Sequence, residues 1–239
     1  MAGVLVYVLD LDLEQDQVWD LMDAWVVQEL LLWAAEGLID LVLGGPPCAT
    51  WSAARHLPGG PPPLRERGPL AWGFPYLTGA AAERVKEANV LLVNFLSLAE
   101  AVAGAGGLVL LEHPEDRGRA PYASIWATEL VLAWEVRLGA TRSSLDQCRY
   151  GAPSQKPTTF SGTWQGREDM SLRHSKWCPR HETARGKLED GRFRTSPLQA
   201  YPSELNRVLA KSCLASILFL ERTGTGPGGW RSDGPRLRR

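Results

Sequence analysis

The stretch Asp40-Leu41-Val42-Leu43-Gly44 runs directly into Gly45-Pro46-Pro47-Cys48-Ala49-Thr50-Trp51-Ser52. This join constrains the fold more than any other feature of the chain. A short apolar run halted by turn residues predicts a buried strand. The glycines after it let a backbone approach a ligand closely, and the prolines fix the path of the loop. In an open α/β sheet, ligands sit beyond the carboxyl ends of the strands, so Cys48 falls where such a sheet carries its chemistry. A thiol has an anion that is accessible near neutral pH and strongly nucleophilic. For Cys48 taken alone the alternative is a structural cysteine, since free cysteines are among the most buried residues.

The rest of the chain repeats the pattern of strand, helix and strand that builds a parallel sheet. Val4 to Leu9 predicts a strand ending in an acidic turn at Asp10 and Asp12. Val26, Val27, Leu30, Leu31 and Ala34 recur at helical spacing between Asp23 and Gly37. Residues 45–78, rich in Pro and Gly, predict a long functional loop. Ala80 to Ala105 predicts a long helix, and Gly107 to Leu111 a strand that stops at Glu112-His113-Pro114-Glu115, so that two strands end in chemistry on one edge. Ser124 to Leu138 predicts a further helix with a serine N-cap, followed by short strands within Thr141 to Cys148 and Thr158 to Gly162. The expected organisation is a core over 1–162, an irregular basic region over 163–200, a closing amphipathic helix within 201–222, and a disordered Gly/Pro/Arg-rich tail over 223–239.

Composition narrows the function classes. With 239 residues and 44% hydrophobic content the chain can bury one good-sized α/β core. Net charge is −1, yet it is unevenly spread: residues 1–50 hold nine acidic side chains and no Lys or Arg, whereas 142–194 hold eleven basic and six acidic ones. Such a local excess can serve a phosphate backbone, or simply be a solvated basic loop. The four cysteines are scattered singly, which argues against a disulfide framework and for a reducing compartment. No apolar run is read as approaching the ~18–20 residues of a spanning helix, so the expectation is a soluble, intracellular protein without a membrane partner, nuclear if its host is eukaryotic.

Pro46-Pro47-Cys48 followed by Ser52 resembles the catalytic Pro-Cys motif of the DNA (cytosine-5) methyltransferases. The resemblance implies a Rossmann-like methyltransferase sheet, here N-terminally truncated, and a cysteine that attacks C6 of a flipped-out cytosine before a methyl group passes to C5 from S-adenosylmethionine. Leu111-Glu112-His113-Pro114 is similar in position to the family's Glu-Asn-Val motif, which implies that Glu112 contacts N3 of the base. A carboxyl group can donate there only if an apolar setting raises its pKa. Tyr150-Gly151-Ala152-Pro153-Ser154-Gln155-Lys156-Pro157-Thr158 resembles the family's Tyr-Gly-x-Pro-Gln-x-Arg-x-Arg segment, with an added residue and with Lys156 and Thr158 in place of arginines. The resemblance thus assigns Cys48 and Glu112 to catalysis, and Pro46, Pro47, Ser52, Arg55, Gln155 and Lys156 to substrate binding.

On the cofactor side, Asp10 is placed at the ribose hydroxyls and Asp20 at the adenine amine by their order in the family. No Phe-x-Gly-x-Gly-type loop precedes Val4, so a missing N-terminal segment or a second chain is an expected partner. The nucleic-acid partner is DNA, with RNA as the alternative. No metal is expected; Cys148, His174, Cys178 and His181 form the one set with tetrahedral potential, at a spacing unlike a standard finger. Trp164 and Trp177 could stack on bases, although isolated tryptophans more often anchor packing. Two other function classes stay open: a catalytically inactive nucleic-acid-binding or scaffold module on the same fold, and a cysteine hydrolase pairing Cys48 with His56 or His113.

Overall fold

A computed structural model describes residues 19–164, 170–175 and 200–223. Helix α1 (Ala24–Ala35) leads into β1 (Leu41–Gly44), and helix α2 (Gly79–Gly104) crosses over to β2 (Leu108–Pro114). Helix α3 (Glu129–Leu138) precedes the hairpin of β3 (Thr141–Asp146) and β4 (Pro157–Gly162), and α4 (Ser203–Thr223) closes the described chain. The sheet order is β1-β2-β4-β3, with β1 and β2 parallel and β4 antiparallel to both of its neighbours. The protein is therefore mixed α/β, with a mixed rather than a wholly parallel sheet. The predicted strand over Val4 to Leu9, Asp10 itself and the tail beyond residue 223 lie outside the described residues, as does most of the 163–200 region.

Strand periodicity sorts the core into two layers. Val109 and Leu111 of β2 point to one face, where Val26, Leu30 and Ala34 of α1, Leu92, Phe95 and Ala99 of α2, and Val131 and Trp134 of α3 pack against them. Leu110 points to the other, with Leu145, Phe160, Trp164 and Met170 and with Leu205, Leu209 and Cys213 of α4. Trp164 is thus a buried anchor rather than a base-stacking surface. Helix α2 is long and apolar enough to cross a membrane by length and composition, contrary to the sequence expectation. Nine of its residues, from Val85 to Val102, are buried, and six of them, from Leu92 to Val102, belong to the core shared with the sheet and the neighbouring helices.

Two element boundaries differ from the sequence reading, each for a local reason. The expected helix from Ser124 breaks into a short 3-10 turn (Ile125–Ala127) and α3, because Thr128 adopts an extended backbone, donates its hydroxyl to the Ile125 carbonyl and caps Val131 N–H. Strand β2 does not stop at Leu111. It continues through Glu112 and His113 because β4 supplies Phe160 and Thr159 as ladder partners.

Candidate functional site

The site is built where β1 ends. A Cβ at Gly44 would sit 2.2 Å from the Phe95 ring, so only glycine lets α2 pack this closely there. A Cβ at Gly45 would lie 3.1 Å from Glu112 Oε2 and 3.5 Å from the Tyr201 hydroxyl oxygen. The glycine pair therefore passes the chain between helix α2 and a carboxyl–phenol pair, and the loop then turns at Cys48, whose carbonyl accepts the Trp51 N–H.

Arg65 holds that loop in place. Its guanidinium is almost fully buried, stacks 4.0 Å from the centre of the Trp51 ring, and donates to Thr50 Oγ1, Asn89 Oδ1 and the Ala71 and Val85 carbonyls. Arg55, expected near a phosphate, donates to the Ala49 carbonyl at 2.7 Å and the Pro62 carbonyl at 2.9 Å, so its described contacts brace the loop. Ser52 Oγ accepts the Ala54 N–H at the start of a 3-10 turn. Pro46 is half-buried and Pro47 exposed.

Cys48, Glu112, Lys156 and Tyr201 form one electrostatic cluster. Burial pushes the half-buried Cys48 thiol up, and the Glu112 charge pushes it further; Lys156 and a backbone hydrogen bond pull it back. Burial likewise raises the Glu112 carboxyl, while Lys156 and a hydrogen bond from Tyr201 oppose the rise. Glu112 Oε1 is buried with no hydrogen-bond partner. The Tyr201 phenol is held protonated by burial and by the Glu112 carboxylate beside it. Lys156 Nζ lies 5.7 Å from the centre of the Tyr201 ring. The Lys156 backbone has φ of 35°, a left-handed conformation that costs a non-glycine residue about 1–2 kcal/mol and is concentrated at functional sites. Gln155 donates to Asp146 Oδ1 at 3.0 Å, which places its amide on the β3 side of the turn.

Glu112 and His113, adjacent in sequence, face opposite layers. The His113 ring lies between Trp51 and Trp126, at 6.2 and 6.4 Å between ring centres, with the Pro114 backbone acting on it and no side-chain hydrogen-bond partner at either ring nitrogen. Its imidazole therefore makes no hydrogen bond to the Cys48 thiol. His56 packs edge-on to Tyr122 and lines a separate concavity of about 430 Å³ with Pro62, Phe74 and Tyr76. Neither imidazole supplies the partner that a cysteine hydrolase needs.

For the remaining candidates, Asp20 Oδ1 accepts the Met22 N–H at 2.7 Å in a local turn before α1. Cys148 Sγ lies 3.8 Å from His174 Nδ1, while Cys178 and His181 lie outside the described residues. Among the described residues no three His, Cys, Asp or Glu side chains gather to hold a metal ion. Sequence reasoning missed two members of the site. Tyr201 was legible only as a residue before the closing helix, and no sequence signal marks Arg65 out from the other arginines of the chain. No protein-family model matches this chain, and no curated protein matches it.

Proposed function

We propose that this chain is a DNA cytosine-5 methyltransferase-like domain in which Cys48 forms a covalent adduct with C6 of a cytosine and Glu112 supports the base at N3. The observation that carries the reading is the convergence of Cys48, Glu112 and Lys156, from three separate segments, on one small region beyond the end of β1. A parallel pair joined by a crossover helix, with an antiparallel hairpin beside it, is compatible with the Rossmann-like methyltransferase sheet that the resemblance implies.

The chemistry follows from the protonation states. Burial raises the Glu112 pKa, and a carboxyl group that holds its proton more tightly is better suited to donate to an N3 acceptor. Addition joins Sγ to C6, the thiol proton leaves to water, and N3 takes the Glu112 proton as the ring loses its C5–C6 double bond. Lys156, which favours both anions, offsets the cost of the thiolate before attack and of the carboxylate after it. The target base has to leave its stack to reach the site.

S-adenosylmethionine, when bound, supplies the methyl group. Of the two residues the resemblance places at the cofactor, Asp20 accepts the Met22 N–H through Oδ1 and Asp10 lies outside the described residues. The direct assay is transfer of a labelled methyl group from S-adenosylmethionine to DNA and, separately, to RNA. Transfer that is lost in Cys48→Ser supports the reading; transfer at an undiminished rate in that variant eliminates Cys48 as nucleophile.

A second reading, a catalytically inactive nucleic-acid-binding or scaffold module, draws on the Tyr201–Glu112 hydrogen bond, since an internal phenol already engages the carboxyl group that a base would meet. That reading predicts nucleic-acid binding or none, with neither methyl transfer nor a covalent adduct.

A further inference from the structure

A carboxylic acid can donate to a ring nitrogen only through the oxygen that bears its proton, and the two oxygens of Glu112 have unlike surroundings. Oε2 is the oxygen beside Gly45, where a Cβ would lie 3.1 Å from it and 3.5 Å from the Tyr201 hydroxyl oxygen. Oε1 is buried and has no partner. The Tyr201 hydroxyl and Oε2 thus both border Gly45, on the side of the carboxyl away from the unpartnered Oε1, and the phenol, which stays protonated, is the donor between them. The ring itself is held by packing, tilted against Phe160 at 6.2 Å between centres and with Lys156 Nζ over its face.

We propose that Tyr201 is a positioning residue that differentiates the two oxygens of Glu112, with Oε2 accepting from the phenol and Oε1 left to carry the proton and present it to an sp² nitrogen of a pyrimidine. The inference rests on the function proposed above and adds to it the atom that does the donating. The charged and titratable groups acting on the carboxyl are Lys156 at the start of β4 and Tyr201 before α4, with the Cys48 thiol beside them on the β1 loop.

The test follows the Glu112 carboxyl carbon by NMR in the full chain labelled with ¹³C-glutamate, its resonance identified by its absence from Glu112→Gln. Tyr201→Phe keeps the ring and deletes the hydroxyl. Loss of a hydrogen bond to the charged form raises the Glu112 titration midpoint by about one pH unit. A tyrosine with only a packing role changes thermal unfolding and leaves the midpoint where it was. Gly45→Ala is the second variant: it retains the hydroxyl but sets a methyl group 3.1 Å from Oε2, in ordinary contact with the phenol, and it shifts the midpoint in the same direction. A midpoint that stays in place or falls in the folded variants overturns the proposal. Failure of the methyltransferase-like reading looks different: no oligonucleotide adduct forms, yet the midpoint still responds to Tyr201→Phe.

Discussion

The guanidinium carbon of Arg65 rests 4.0 Å from the centre of the Trp51 ring, three residues beyond Cys48, while its nitrogens reach Asn89 and the Val85 carbonyl on α2. Through this contact the loop that presents the thiol is tied to the helix that crosses between β1 and β2. The loop takes its shape from a buried cation as well as from its prolines.

Removing that cation leaves Thr50, Asn89 and two carbonyls without their donor. Arg65→Ala is expected to lower stability by about 3 kcal/mol in urea unfolding. Arg65→Lys recovers only part of the loss, because an ammonium group cannot make the planar fork or stack on an indole. Equal stability of Arg65→Lys and the parent protein would contradict this role.

His113 gives the fold an acid sensitivity of defined sign. Burial, then the Arg65 charge, pushes its pKa from the ordinary 6.5 down to about 3. The unfolded chain therefore binds the proton first, so stability is complete above pH 6.5 and declines as pH falls towards 3, by on the order of 4 kcal/mol in all. Glu112, whose carboxyl is raised, works in the opposite sense above its ordinary pKa of 4.5. Comparison with His113→Leu isolates the imidazole: the variant shows a flatter stability profile between pH 6.5 and 3. A variant profile as steep as the parent's would remove His113 as the cause.

Cys48 reactivity reports the cluster without any ligand. Glu112 raises the thiol and Lys156 lowers it. Glu112→Gln is thus expected to speed alkylation of Cys48 by iodoacetamide several-fold at pH 8, and Lys156→Gln to slow it. Peptide mass mapping separates Cys48 from the other cysteines. Changes of the same sign in both variants would contradict the arrangement.

Much of this layout was legible in the sequence, and the gaps have physical causes. Apolar runs ending in Gly and Pro located β1, and helical spacing located α1, α2 and α4 to within a few residues. The extent of β2 was not legible, because Glu112 and His113 are poor strand residues on their own and become one through pairing with Phe160 and Thr159. Periodicity then explains what adjacency hides, since neighbouring residues on a strand face opposite layers and His113 points away from the carboxyl group beside it. Cys48 and Glu112 were singled out on the expectation that strand ends concentrate chemistry, although Glu112 lies within β2 and not at its end. Tyr201 joins them from about 90 residues beyond Glu112 in sequence, and such a long-range contact has no local signature.

The central proposal is that Cys48 and Glu112, coupled beyond the end of β1, act together on one pyrimidine. An oligonucleotide carrying 2-pyrimidinone in place of a cytosine tests it most directly, because addition of the thiol to that ring needs no methyl donor. Intact-protein mass spectrometry is expected to show one oligonucleotide added per chain, with the adduct abolished in Cys48→Ser and much reduced in Glu112→Gln. An adduct that persists in Cys48→Ser, or none on the parent protein, would contradict the account.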